Sequence, residues 1–269
     1  MADGDERGGD AARDGVGGWL DDRAASVMFL TRLPMRRLAV SAPVWPRQMR
    51  AFPLAGALIG ALSAAVLVIA AWSGFSPLIA ALAAIMAGVI ITGALHEDGL
   101  ADCADALGAH EKKRRLEIMR DSRVGTFGVL ALVLAIGLNA AALSRIVAHS
   151  GVMAAAGALI AAHALSRLMA VWTLHYLPPA RRDGRAKEAG RPSAGLLGQA
   201  ILATLAILLA VFPPLWDGRA LVAAVILAMA AAGVVIRMAR MLIGGQTGDV
   251  AGAAEVFART AFLLVLSLH

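Results

Sequence analysis

The sequence predicts an all-α, polytopic integral membrane protein, a helical bundle of about seven transmembrane helices preceded by an amphipathic helix at the interface. Three observations predict it. The 269 residues are 59% hydrophobic, above the roughly half-apolar usage of soluble domains, and the mean hydropathy is +0.72. The apolar residues fall in uninterrupted runs of about 20, the length that crosses a hydrocarbon core of about 30 Å. The segments between runs alternate between basic and nearly uncharged, as they do when loops lie on opposite sides of a membrane.

The elements follow in order. Residues 1–18 (MADGDERGGDAARDGVGG) are glycine-rich and acidic, lack the apolar stretch of a signal peptide, and predict a disordered tail. Residues 19–269 then form a single membrane-embedded domain. Residues 19–35 mix apolar side chains with Asp21, Asp22, Arg23 and Arg32, too charged to span but suited to a helix at the interface. Spans are predicted at 52–72, 76–95, 126–148, 152–177, 195–216, 220–236 and 250–268. The last is the least regular: it carries Glu255 and Arg259, which at i, i+4 can neutralise one another. Stretches such as AAIMAGVIITGAL and AAVILAMAAAGVV supply the small residues that let helices pack closely in lipid.

Residues 72–76 and 149–151 contain no Lys or Arg, and 217–219 contain only Arg219. The other connections are basic: Arg32, Arg36, Arg37, Arg47 and Arg50 before the first span; Lys112, Lys113, Arg114, Arg115, Arg120 and Arg123 after the second; Arg181, Arg182, Arg185, Lys187 and Arg191 after the fourth; Arg237 and Arg240 after the sixth. The positive-inside rule therefore predicts a cytoplasmic N-terminus and cytoplasmic long polar loops, in the inner membrane of a prokaryote. Net charge is +6, but the basic residues are not interleaved with aromatics, so no nucleic-acid partner is expected; membrane lipid is. The lone Cys103 forms no intramolecular disulfide or cysteine metal cluster and fills a gap between helices. His110, His149, His163 and His175 share no ligand spacing and read as structural, and the residues leave the oligomeric state open.

Three polar stretches on the expected cytoplasmic side carry the chemistry. In His96-Glu97-Asp98-Gly99-Leu100-Ala101-Asp102-Cys103-Ala104-Asp105, a helix continuing from the second span puts Asp98, Asp102 and Asp105 at i, i+4 and i+7 on one face. Like charges so placed repel. A hard cation compensates them, and Mg²⁺ suits one or two carboxylates, several waters and the phosphate oxygens of a substrate; the bland alternative is a solvated acidic helix end. In Ile118-Met119-Arg120-Asp121-Ser122-Arg123-Val124-Gly125-Thr126-Phe127-Gly128, Arg120 and Arg123 can neutralise phosphate and Ser122 can donate a hydrogen bond. Gly125 and Gly128 let backbone approach a ligand near a helix N-terminus. Taken alone, boundary arginines are topology anchors. The third stretch is Gly244-Gly245-Gln246-Thr247-Gly248-Asp249, a tight turn that puts Asp249 at or beside a helix N-cap, either as a plain capped turn or as part of a site. Two readings stand for Arg167: contact with an anionic substrate, or snorkelling to the interface.

HEDGLADCADAL, IMRDSRVGTFG and GGQTGDVAGA, with FLTRLP at 29–34 and FPLAGALIG at 52–60, resemble the cobalamin synthase family, the adenosylcobinamide-GDP ribazoletransferases, over nearly all of the chain beyond the tail. The resemblance implies a Mg²⁺-dependent reaction of adenosylcobinamide-GDP with alpha-ribazole, or its 5′-phosphate, giving adenosylcobalamin or its 5′-phosphate and GMP. It implies functional roles for Asp98, Asp102, Asp105, Asp121 and Asp249, with His96, Arg123 and the motif glycines, Gly245 and Gly248 among them beside Thr247. Asp98, Asp102, Asp105 and Asp249 are the expected metal ligands. Arg120, Ser122, Arg123, Gly125, Gly128, Arg167, Gly245, Thr247 and Gly248 are expected at the substrate, and His96 or Asp121 as the base. Glu97 receives no role. A CDP-alcohol phosphotransferase-like enzyme is the nearest rival, but here Asp102 follows Asp98 too closely and no Ala-Arg pair follows Asp98-Gly99. A transporter with an acidic cation site would place its ionisable groups at the bilayer midplane instead.

Overall fold

The computed structural model describes residues 16–33, 45–181, 190–211 and 217–269. Residues 1–15 of the expected tail, the end of the fifth expected span at 212–216, and Arg36, Arg37, Arg182, Arg185 and Lys187 lie outside them. The described chain is helical: α1 Val16–Leu30, α2 Phe52–Trp72, α3 Pro77–Thr92, α4 Leu95–Ala106, α5 Lys112–Ile118, α6 Thr126–His149, α7 Val152–Tyr176, α8 Ala194–Val211, α9 Gly218–Leu242 and α10 Gly248–Leu266. A short 3-10 turn at Arg47–Ala51 leads into α2. The helix α1 begins three residues inside the segment expected as tail.

The charges that disqualify α1 as a span fasten it to the start of α2. Buried Asp22 accepts from Arg50 Nε at 2.7 Å and Arg47 Nε at 3.1 Å. The Arg50 guanidinium lies 4.3 Å from the Trp19 ring centroid, and Ser26 Oγ donates to the Gln48 carbonyl at 2.7 Å. Phe29 packs against both Trp45 and Phe52.

By length and composition, five described helical stretches can cross a membrane, Arg47–Trp72, Thr126–His149, Val152–Tyr176, Ala194–Val211 and Gly218–Leu242; α3 and α4 counted as one bent span make six. The seventh expected span is α10, which carries Asp249, Glu255 and Arg259; its 19 residues extend about 28 Å. It packs against α4, α6, α7 and α9. The centre of the bundle is α7, whose most apolar stretch is 83% buried, against 17% for α8. Close packing of α2 on α7 requires glycine: a Cβ at Gly56 would stand 2.3 Å from the His163 carbonyl oxygen, and one at Gly60 would stand 2.7 Å from Ile160 Cα. Large apolar side chains of α3, α6 and α9, among them Ile90, Leu134 and Ile226, are exposed on the outside of the bundle, as lipid contact demands.

The second expected span is interrupted. Gly93 and Ala94 are both left-handed, with φ of 64° and 59°, and their amides close the end of α3 on the carbonyls of Ile90 and Val89. The chain then turns by 90° into α4. The acidic run thus lies on a separate helix bent away from α3, not on a straight continuation of it.

Candidate active site

On α4 the apolar residues Leu100, Ala101 and Ala106 are buried, which turns the opposite face outward. Asp98 is exposed there, and Asp102 and Asp105 are half-buried. Asp105 is already engaged: its Oδ2 accepts from the Gly125 amide at 2.7 Å and its Oδ1 from the Gly128 amide at 2.8 Å. Both amides belong to the first turn of α6, whose N-cap Gly125 has no side chain to cap it, so a carboxylate from α4 does the capping. The two glycines are needed for this approach, since a Cβ at either would stand within 2.6 Å of an Asp105 oxygen.

The start of α10 is built around the turn at 244–247. Gly244 is left-handed with φ 77°, and Gln246 pairs in parallel with Pro179 through Ala180 N–H to Gln246 O at 2.9 Å and Gln246 N–H to Pro178 O at 2.8 Å. Gly245 is required where the two segments cross, because a Cβ would stand 2.2 Å from the Pro178 oxygen. Thr247 is the N-cap: its Oγ1 accepts from the Val250 amide at 3.2 Å and donates to Asp249 Oδ2 at 3.1 Å. Gly248 opens the helix and is exposed. Asp249 therefore sits beside the cap, in the first turn.

The two acidic elements meet at a glycine. A Cβ on Gly99 would stand 2.8 Å from the Asp249 carbonyl oxygen and 2.9 Å from its Cα, so the first turn of α10 lies against α4 between Asp98 and Asp102. Burial and then the charges of Asp249, Asp98 and Asp105 push the Asp102 carboxyl up to about 7, opposed in part by Arg181. Arg181 leaves the 178–181 segment beside these acids and donates from Nη2 to the Leu116 carbonyl at 2.8 Å. Among the described residues no three His, Cys, Asp or Glu side chains already stand as a metal cage.

The segment before α6 lies at the same end of the bundle through its contact with Asp105. Arg120, Ser122 and Arg123 are exposed. Arg123 Nη2 donates to Asp121 Oδ2 at 2.5 Å, and these hydrogen bonds hold the Asp121 carboxyl down to about 2. That makes Asp121 a weak proton acceptor. His96, the other expected base, is 4% exposed, so no substrate in the surrounding solution meets its ring.

Arg167 stands apart from this end. It is fully buried, and Nη1 donates to Glu255 Oε1 and lies 2.7 Å from His163 Nδ1. Glu255 also accepts from Ser166 Oγ at 2.7 Å. Arg259, expected to neutralise Glu255 alone, reaches it at 3.4 Å but makes its closer bond to Glu97 Oε1 at 2.7 Å. Glu97, Glu255, Arg167 and Arg259 thus form one buried chain of alternating charge across α4, α10 and α7. Its pairing across 162 residues leaves no spacing to read; the available signal is that charges within apolar helices require partners, and two of each sign occur.

Fold and site together define a polytopic helical membrane protein that gathers carboxylates from two distant helices, with an arginine beside them, at one end of its bundle. The family model described as Cobalamin-5-phosphate synthase matches residues 22–267, and the chain belongs to that family. It is 43% identical over 239 residues to the adenosylcobinamide-GDP ribazoletransferase of Allorhizobium ampelinum, covering 88% of this chain and 92% of the relative. It is 43% identical over 256 residues to that of Azorhizobium caulinodans (93% and 96%) and 41% identical over 259 residues to that of Brucella anthropi (93% and 98%). No solved structure matches.

Proposed function

We propose that the protein joins adenosylcobinamide-GDP to alpha-ribazole, or its 5′-phosphate, in a Mg²⁺-dependent reaction that gives adenosylcobalamin, or its 5′-phosphate, and releases GMP. The observation that carries the reading is the contact of Asp249 with Gly99, which joins the family's third motif to its first. The names of the relatives supply the substrates. A ribazole hydroxyl attacks the cobinamide-linked phosphorus; the bond from that phosphorus to the bridging oxygen breaks, GMP leaves carrying that oxygen, and the hydroxyl's proton passes to the surrounding water.

The donor set fits the cation. Asp98, Asp102 and Asp249 offer hard oxygens, and burial together with the neighbouring carboxylates pushes the Asp102 carboxyl up to about 7, a strain that a cation would relieve. Mg²⁺ takes only one or two carboxylates and fills its sphere with water and phosphate, so it needs no complete protein cage. When bound, it would supply positive charge to the pyrophosphate oxygens and the leaving GMP. The chain's own groups orient the rest: Arg181 stands beside the acids, Arg120 and Arg123 face solvent as phosphate contacts, and Ser122 offers a donor. Asp105 holds the first turn of α6, and with it the 120–125 segment, against the acidic helix. The basic connections support a cytoplasmic placement of this end and of the N-terminus, in the inner membrane of a prokaryotic cell.

Purified protein in liposomes, given adenosylcobinamide-GDP, alpha-ribazole and Mg²⁺, should release GMP and form the joined corrinoid. Absence of GMP with both ribazole forms at millimolar Mg²⁺ would reject the reading.

A further inference from the structure

From the buried chain of charges we infer that Arg259 and Glu97 are positioning residues for the acidic site: their ion pair fixes how far α10 stands along α4, and so which carboxylates face one another. This rests on the proposed reading for its activity readout but not for its geometric one. Three observations carry it. Glu97 immediately precedes Asp98, and Glu255, the second partner of Arg259, lies six residues after Asp249; the pair therefore links the two acidic elements close to both. Where α4 and α10 meet, small residues bring the two backbones close. Glycine stands on each side, with a Cβ at Gly252 only 3.3 Å from His96 Cα and one at Gly99 against the Asp249 backbone. Contact this close holds for one placement of α10 along α4, and the ion pair stands beside it.

The third observation is the entry to α4. It has no side-chain N-cap, and its N-cap position is Ala94 in the left-handed region, where a non-glycine residue is strained. Glu97, in the first turn of α4, ties that turn to Arg259 on α10. The far end of the chain is firm: Glu255 is held by Arg167 and Ser166 on α7, the most buried span. Buried ion pairs contribute little net stability compared with well-packed apolar residues, but they can specify one arrangement among several. Four such charges inside an apolar bundle fit that use.

The geometric test uses the native Cys103, which lines with Val250, Ala253 and Phe257 an apolar cavity bounded by α4, α6, α9 and α10. Single cysteines at Val250, Ala253 and Phe257, one stripe of α10, are oxidised against Cys103 in liposomes. In the parent one position should cross-link best. In Glu97→Gln and in Arg259→Gln the maximum should move by a turn or flatten, whereas Arg259→Lys, which keeps the charge, should hold it. In GMP release the two neutral variants should lose kcat on the order of tenfold or more with KM little changed, as misplacement of reacting groups does, and Arg259→Lys should recover part of it. An unchanged cross-linking profile in both neutral variants overturns the inference, whatever their yield. A parent that cross-links at one position yet releases no GMP rejects the reaction and leaves the register finding standing.

Discussion

Asp105 shows how a residue's neighbours decide its task. By spacing it belongs with Asp98 and Asp102 on a metal-binding face, but both its oxygens accept from the first turn of α6. Asp105→Asn should therefore destabilise the fold by about 1 kcal/mol through loss of a cap, read as a lower unfolding temperature in detergent. Asp102 differs. Its carboxyl is pushed up to about 7, far above its value in an unfolded chain, so the fold favours the protonated form. Without a divalent cation, stability should fall as pH climbs from about 4 towards 7 and the half-buried group must ionise. Asp102→Asn should then raise the unfolding temperature at pH 8, scarcely change it at pH 4, and abolish activity. On the proposed reading that Asp102 helps hold Mg²⁺, protons should compete with the cation, and apparent Mg²⁺ affinity should weaken as pH drops below about 7; titration at pH 6 and 8 checks it. The carboxylate cluster itself is legible in the sequence, because Asp98, Asp102 and Asp105 stand at helical spacing. That Asp105 caps a helix is not, because its partners are amides 20 and 23 residues away.

At the scale of elements, apolar runs delimit the spans closely: 52–72 matches α2, and 126–148 falls one residue short of the end of α6. The break after α3 escapes such reading because Ile91-Thr92-Gly93-Ala94-Leu95 continues the apolar pattern, and only the left-handed pair Gly93 and Ala94 turns the chain. The 244–249 turn is legible as a turn, whereas its pairing with 178–180 depends on a tertiary crossing. Gly245→Ala tests that crossing. Its Cβ meets the Pro178 oxygen at 2.2 Å, so the segments must part at a cost of about 1–3 kcal/mol. Limited proteolysis should then cut near residues 178–181 faster than in the parent. Equal cutting rates would show that the crossing tolerates the methyl group.

For the whole molecule, alternation of basic and neutral connections sets which groups share a face. In a background without Cys103, a cysteine at Lys112 should label with an impermeant maleimide only in inverted vesicles, and one at Ser73 only in intact cells. Labelling of both from one side would break the span assignment. The central claim is that residues 96–105 and Asp249, separated by most of the chain, act as one site. The most direct measurement is a double-mutant cycle on kcat/KM for Asp98→Asn and Asp249→Asn, with insertion and unfolding temperature checked for each protein. Residues sharing one site should couple, so the double variant should lose clearly less transition-state free energy than the sum of the single losses, by about 0.5–3 kcal/mol. Strictly additive losses, with unchanged Mg²⁺ dependence in Asp249→Asn, would contradict it and leave Asp249 as part of a capped turn.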